Sequence, residues 1–366
     1  MVLFAFNFGL MAQVFTNKVV GEKKSEQRDS LKQTAYPYLL PIWGEKVTNL
    51  GFDLPYSAGF SSQYIYQESD ILINNLLVGF NNGTMFDLDE VVRFNSATAQ
   101  TNGLNVRPDI WLFPFLNVYG IFARSNNKTT VDFGVYVPGD FHLDPDLGFQ
   151  WNWVKAMDFD TEANFEATTY GFGMTPTMGV GGGFLALDLN WSWSDIPELS
   201  EPARVFVFGP RAGKNFQFGR KEQSLAVWVG GFRVKMNTGT SGSLNINEIL
   251  PNLDEQLGSA MAKVEAGQVA VDDWWGGLSL GEKADPVNIA KYAAANKALG
   301  VAGNALDAAS RAETIQYSLD KRQHNAWNFV VGSQYQYNKS WAVRAEVGFL
   351  GTRTQVITGL QYRFGL

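Results

Sequence analysis

Cysteine is absent from the 366 residues, which removes disulfide frameworks, thiol nucleophiles, thiolate metal sites and a lipidated cysteine together. Long apolar runs are also missing. No window holds the roughly 18 uninterrupted apolar residues that a spanning helix requires, so the pattern of a helical membrane protein is not there. Basic residues do not dominate: 29 Lys and Arg stand against 36 Asp and Glu, a net charge of −7. That balance argues against a nucleic-acid partner, because neutralising phosphates needs a basic footprint. Histidine is limited to His142 and His324. Neither stands in the Ser or acidic setting that lipases, acyltransferases and proteases need. Asp140, His142 and Asp144 make at most a weak loop dyad, so neither an enzyme nor a cofactor is expected. Gly209 to Lys214 is one residue too short for a phosphate loop, and Asn215 replaces its Ser or Thr. Asp158, Asp160 and Glu162 alternate in a way that suits Ca²⁺, but a solvated loop is the better reading and no metal is expected.

What the chain has is aromatic residues and glycine: 27 Phe, 13 Tyr, 11 Trp and 37 Gly, a composition suited to pleated strands. A strand in lipid alternates an apolar outward face with a small or polar inward one over about 10 residues, since lipid offers the backbone no partners. In 169–180, Tyr170, Phe172, Met174, Met178 and Val180 alternate with Thr169, Gly171, Gly173, Thr175, Thr177 and Gly179. After a glycine-rich turn, Leu185, Leu187, Leu189, Trp191 and Trp193 alternate with Ala186, Asp188, Asn190, Ser192 and Ser194. Trp327, Phe329, Val331, Tyr335 and Tyr337 repeat the pattern, and Trp341, Val343, Ala345, Val347 and Phe349 follow a short turn.

Further strands are predicted over 54–66, 102–113, 116–124, 204–214, 225–237 and 354–366, which makes ten. An even number is the rule for bacterial barrels. A hairpin hidden in 71–80 or 131–137 would raise the count to twelve. Residues 71–78 do not alternate, however, and ten is the expected number. Short connections at 113–115, 180–184, 216–223 and 338–340 alternate with mostly longer ones at 67–101, 125–168, 195–203 and 238–325, and with a brief one at 351–353. Parity therefore places the short turns on the periplasmic side with both termini. A soluble sandwich or propeller is the competing reading of the same alternation.

The last strand carries Thr358-Gly359-Leu360-Gln361-Tyr362-Arg363-Phe364. Thr358, Gly359, Tyr362 and Phe364 fill a pattern that resembles the C-terminal β-signal of bacterial outer-membrane β-barrels, although the chain continues through Gly365-Leu366. The resemblance implies recognition by the barrel-assembly machinery and a place in outer-membrane lipid of a Gram-negative cell. Residues 319–323, Trp327-Asn328 and 341–349 also look like an uncharacterised family of exported barrels, a resemblance that adds fold and location only.

Residues 1–12 read as a signal-peptide apolar region lacking its basic start, which leaves an N-terminally incomplete export signal or a buried strand. Residues 13–53 form an N-terminal periplasmic segment containing a charged run at 21–29 and then Tyr36-Pro37-Tyr38 through Trp43. The barrel is expected over 54–366, interrupted between its seventh and eighth strands by a helical insertion at 238–324. One helix is predicted from Pro251 to about Val264, with Trp274-Trp275 after it. A second is predicted to open on Asp285-Pro286. The pair is read as a cap outside the barrel or a plug within it.

Inward positions place Arg107, Asp109, Asp188, Arg233, Lys235, Arg344, Glu346 and Arg363 in the lumen. There they would form a selectivity filter or a closed salt-bridge network. The functions that fit are a narrow channel or passive transporter for small solutes, a closed structural barrel that binds a surface partner, and, least well, an outer-membrane hydrolase. Neither the solute nor the partner is legible.

Overall fold

The computed structural model describes the backbone of Asn17–Lys18 and residues 36–366, except 145–147, 181, 198, 200, 219–221, 237–238 and 251. The signal region at 1–12 and the charged run at 21–29 lie outside the described residues. Each alternating segment is a strand: β1 (Ala58–Phe80), β2 (Val92–Phe113), β3 (Leu116–Asp144), β4 (Gly148–Val180), β5 (Gly183–Asp195), β6 (Ala203–Gln217) and β7 (Ser224–Met236). An inserted hairpin follows, β8 (Gly239–Asn245) and β9 (Thr314–Gln323), and then β10 (Trp327–Gln336), β11 (Trp341–Phe349) and β12 (Arg353–Phe364).

Ten of these close a ring in which β1 through β7, β10, β11 and β12 each pair antiparallel with the next. Closure comes from β12 against β1, running from Phe364↔Ala58 to Arg353↔Ser69. The fold is thus an antiparallel up-and-down barrel of ten strands, as expected, and 71–80 and 131–137 add length to β1 and β3 rather than a further hairpin. Outward side chains remain exposed even though they are apolar and aromatic: Phe60, Leu104, Phe122, Phe172, Val229, Val343 and Leu360 among them. A belt of this extent far exceeds the apolar patch that a soluble surface tolerates. It is the lipid-facing band of a membrane-spanning barrel.

The long connections expected at 67–101 and 125–168 are instead strand. β4 runs for 33 residues, against roughly 10 needed to cross a bilayer, so β1 to β4 project well beyond the ring on the side opposite Leu366. We call that side the far end. At Asn75 the backbone enters the left-handed region, φ 53°, and the β1–β9 register shifts between Ser318 and Asp320. Gln63, Ile65, Gln67, Ser69, Ile71 and Ile73 face inward below this point, and Leu76, Val78 and Phe80 above it. The phase change explains why 71–78 fails to alternate.

The insertion holds α2 (Leu253–Gly277) and α3 (Pro286–Ala309), with α1 (Gly44–Asn49) lying ahead of the barrel. α3 starts as predicted: Asp285 Oδ1 accepts the Val287 N–H at 2.9 Å, with Pro286 in the first turn. α2 is longer than predicted and absorbs Trp274-Trp275. Trp275 stacks on Tyr292 at 4.5 Å and Trp274 meets Trp151 edge-on at 5.4 Å, contacts that hold its last turns against α3 and β4. The helices share one apolar core with the projecting strands, through Ala260, Val271, Leu299 and Leu306 against Val78, Val91, Val137 and Phe159. Close approach depends on Gly267, where an added Cβ would lie 2.2 Å from the Pro138 carbonyl oxygen.

Gly267→Val is therefore expected to cost about 1–3 kcal/mol of local packing and to loosen the helical pair from β3 while the ring stays closed. Limited proteolysis checks this: cleavage within 253–309 should accelerate while the barrel still migrates as a folded species on unheated gels.

Candidate functional site: a lumen divided by ionic layers

Large inward side chains fit the barrel because the neighbouring strand supplies glycine opposite them. Tyr119 of β3 faces Gly173 of β4, and Trp228 of β7 faces Gly332 of β10. A Cβ on either glycine would come within 2.4 Å of the facing ring. These rings then support a layer of charge across the middle of the lumen. Arg211 of β6 makes a two-pronged contact with Glu346 of β11, Nε to Oε2 and Nη2 to Oε1 at 2.9 Å each. Its Nη1 donates to Asp188 Oδ2 at 3.3 Å. Glu346 also accepts from the Trp228 indole at 2.8 Å and from Arg344 at 3.3 Å. Asp188 accepts from Thr175 at 2.8 Å, and the Tyr119 hydroxyl is shared between Asp188 and Asn190.

Arg107 closes the layer, 3.9 Å from Asp188 and with its guanidinium 3.8 Å over the Tyr119 ring. Arg344 stacks 4.7 Å over Trp228. Bidentate, charge-assisted contacts of this kind are the strong ones, and at Glu346 they compensate for nearly complete burial of the carboxylate. Three guanidiniums meet two carboxylates, so the layer retains one net positive charge.

A second layer lies toward the end that carries Leu366. Arg363 donates to Asp109 at 2.8 Å and to the Tyr56 carbonyl at 3.0 Å, while Asn117 and Gln361 also donate to Asp109. Between the two layers is a void of about 120 Å³. Beneath the second layer a strap closes the barrel: Leu39 and Leu40 N–H groups donate to the Leu366 carbonyl, and Ile42 N–H to that of Leu112. Trp43 packs on Phe113 at 5.2 Å. Tyr38 lies so close to Gly365 that a Cβ there would fall 2.0 Å from its ring, which gives the Gly365-Leu366 tail a packing role. Tyr36 donates to the Leu40 carbonyl, and burial, with Tyr38 nearby, pushes its phenol up to about 12.

Above the first layer, between it and the helices, is a chamber of about 1340 Å³ with mostly apolar walls. Six basic and four acidic residues line it, the opposite balance to the chain as a whole.

Of the residues expected in the lumen, the structure places Arg107, Asp188, Arg344 and Glu346 in the first layer and Asp109 and Arg363 in the second. Arg233 and Lys235 are a correction. Both point outward near the far rim, while Phe232 and Val234 face the chamber. Trp228 fixes that phase: its indole reaches Glu346 inside the barrel, so the odd positions of β7 face out. Arg211, Tyr119 and Trp228 were not anticipated. An aromatic in an alternating strand reads as lipid-facing by default, and only pairing with Gly173 and Gly332 marks these two as interior. The acidic run at 158–162 lies on β4, where Asp158 pairs with Lys155 and Glu162 with Lys128. No metal-binding cluster is found among the described residues.

No protein-family model and no curated protein matches the chain. Solved structures similar to it are barrels. The β domain of the Bordetella autotransporter BrkA matches at 7% identity, covering 84% of this chain and all of that one, with a TM-score of 0.35. The toluene transporter TbuX of Ralstonia pickettii matches at 12% identity over 85% and 90% of the two chains, TM-score 0.28. A Pseudomonas aeruginosa FadL homologue matches at 9% identity over 97% and 100%, TM-score 0.24. The class follows from the ring and its outward belt: a membrane-spanning β-barrel of ten strands with a charged, subdivided lumen.

Removing one partner of the central pair leaves a buried charge uncompensated. Arg211→Met and Glu346→Met are each expected to cost about 3–5 kcal/mol, and the double variant distinctly less than their sum. Unfolding of the refolded barrel in urea, followed by tryptophan fluorescence, measures the cycle. Additive losses would show that the two side chains act independently.

Proposed function

We propose that the protein is a passive route for small solutes across the Gram-negative outer membrane, with both termini periplasmic and the far end outside. The central ionic layer is its gate. The observation that carries this reading is the abrupt change along one lumen, from a chamber of about 1340 Å³ to a void of about 120 Å³ across the Arg211–Glu346–Asp188 layer. A purely structural barrel has no use for so large an interior volume, since about eight strands already make a lumen that side chains fill. The helical pair serves as a cap over the chamber. The last-strand residues Thr358, Gly359, Tyr362 and Phe364 serve assembly, and the machinery that reads them is the partner during biogenesis.

The second reading, a closed barrel whose far end binds a surface partner, draws on the same layers and on the strap at 36–43. Conductance separates the two. In planar bilayers the wild-type barrel is expected to give infrequent small openings, and Arg211→Ala with Glu346→Ala is expected to raise open time severalfold. Silence from the double variant, even after residues 36–43 are removed, would support the closed barrel instead.

A further inference from the structure

Two cations, one in the wall of the chamber and one buried just behind it, have no carboxylate partner among the described residues. Lys321 of β9 lines the chamber, and burial pushes its ammonium below the usual lysine range. Arg353, at the start of β12, is 95% buried, and Nε, Nη1 and Nη2 all lack a hydrogen-bond acceptor. Its guanidinium lies 5.2 Å from the ring of Phe232, which lines the chamber, as does Gln355 beside it. β9 and β12 pair end to end along the same edge of β1, Lys321 opposite Ile73 and Arg353 opposite Ser69. Four residues of strand, about 13 Å, thus separate the backbones of two long side chains on one edge of β1. Ile71, Ile73, Leu76, Val78 and Phe80 continue that wall toward Leu306 of α3, all of them apolar.

Buried cations without partners are costly. An anion seated between them would relieve that cost, and the wall above it would cover an apolar body. We propose that the chamber binds an amphipathic monoanion, a carboxylate on an aliphatic body, with its head at Lys321 and Arg353 and its body along β1 toward α3. This names a substrate class for the solute route proposed above and rests on that reading. Binding is nonetheless measurable without transport, so either idea can fail alone.

The test uses the full chain in nanodiscs of zwitterionic lipid, with dodecanoate as the probe, dodecanol as its uncharged counterpart and dodecyltrimethylammonium as its cationic one. Calorimetric titration should show saturable binding of one dodecanoate per barrel, at least about tenfold tighter than dodecanol, and none of the cation. Lys321→Met with Arg353→Met should abolish that preference while preserving dodecanol binding, which doubles as evidence that the chamber is intact. Should the variant fail to fold, Lys321→Gln alone is expected to weaken dodecanoate and leave dodecanol unchanged. Equal binding of all three probes, or a preference for dodecanoate that survives both substitutions, would overturn the proposal.

Discussion

Glu346 is a carboxylate placed inside a membrane barrel, and its burial is tolerable only because Arg211, Arg344 and Trp228 all donate to it. The rest of the lumen is arranged around that constraint. Trp228 must point inward, which sets the phase of β7 and turns Arg233 and Lys235 outward. The inward indole in turn requires Gly332 on β10. Asp188 extends the layer to Tyr119 and Arg107, and Tyr119 requires Gly173. A network in which each member depends on the next is all or nothing: fully satisfied it is rigid, and half satisfied it is worse than an apolar filling.

The layer divides a uniform tube into unlike compartments. Below it, Arg363 and Asp109 repeat the pairing on a smaller scale and tie the closing strand to Tyr56. The strap at 36–43 then covers that end through backbone hydrogen bonds to Leu366 and Leu112. Above it, strands far longer than a bilayer needs are braced by α2 and α3, so the far half of the molecule has an ordinary apolar core inside a barrel wall. Lipid replaces the missing core outside the ring, whereas the helices replace it inside the projection.

Much of the architecture was legible because period-2 alternation is imposed by lipid on one face and lumen on the other. Ten strands, their order, the Asp285–Pro286 helix start and the inward Arg107, Asp109, Asp188, Arg344, Glu346 and Arg363 all follow from that alternation or from capping chemistry. What could not be read depends on partners distant in sequence. In the projecting halves of β1 to β4 the apolar residues turn inward, Ile71, Ile73, Leu76, Val78 and Phe80 among them, and Asn75 switches phase within β1, so they resembled loops. That Trp228 and Tyr119 point inward shows only in the pairing with their facing glycines, Gly332 and Gly173. Arg353 and Lys321 come near each other only because β9, part of the insertion, docks on the same edge of β1 as β12.

The absence of cysteine from the chain allows a direct test of whether the Arg211–Glu346 layer divides the lumen. Single cysteines at Ser192, in the chamber, and at Ser61, in the void below the layer, can be exposed to a small charged thiol reagent added from the far side of a reconstituted membrane. The account predicts rapid modification at Ser192→Cys and protection at Ser61→Cys, with protection lost when Arg211 and Glu346 are both replaced by Ala. Equal modification of the two positions in the otherwise wild-type barrel would contradict it.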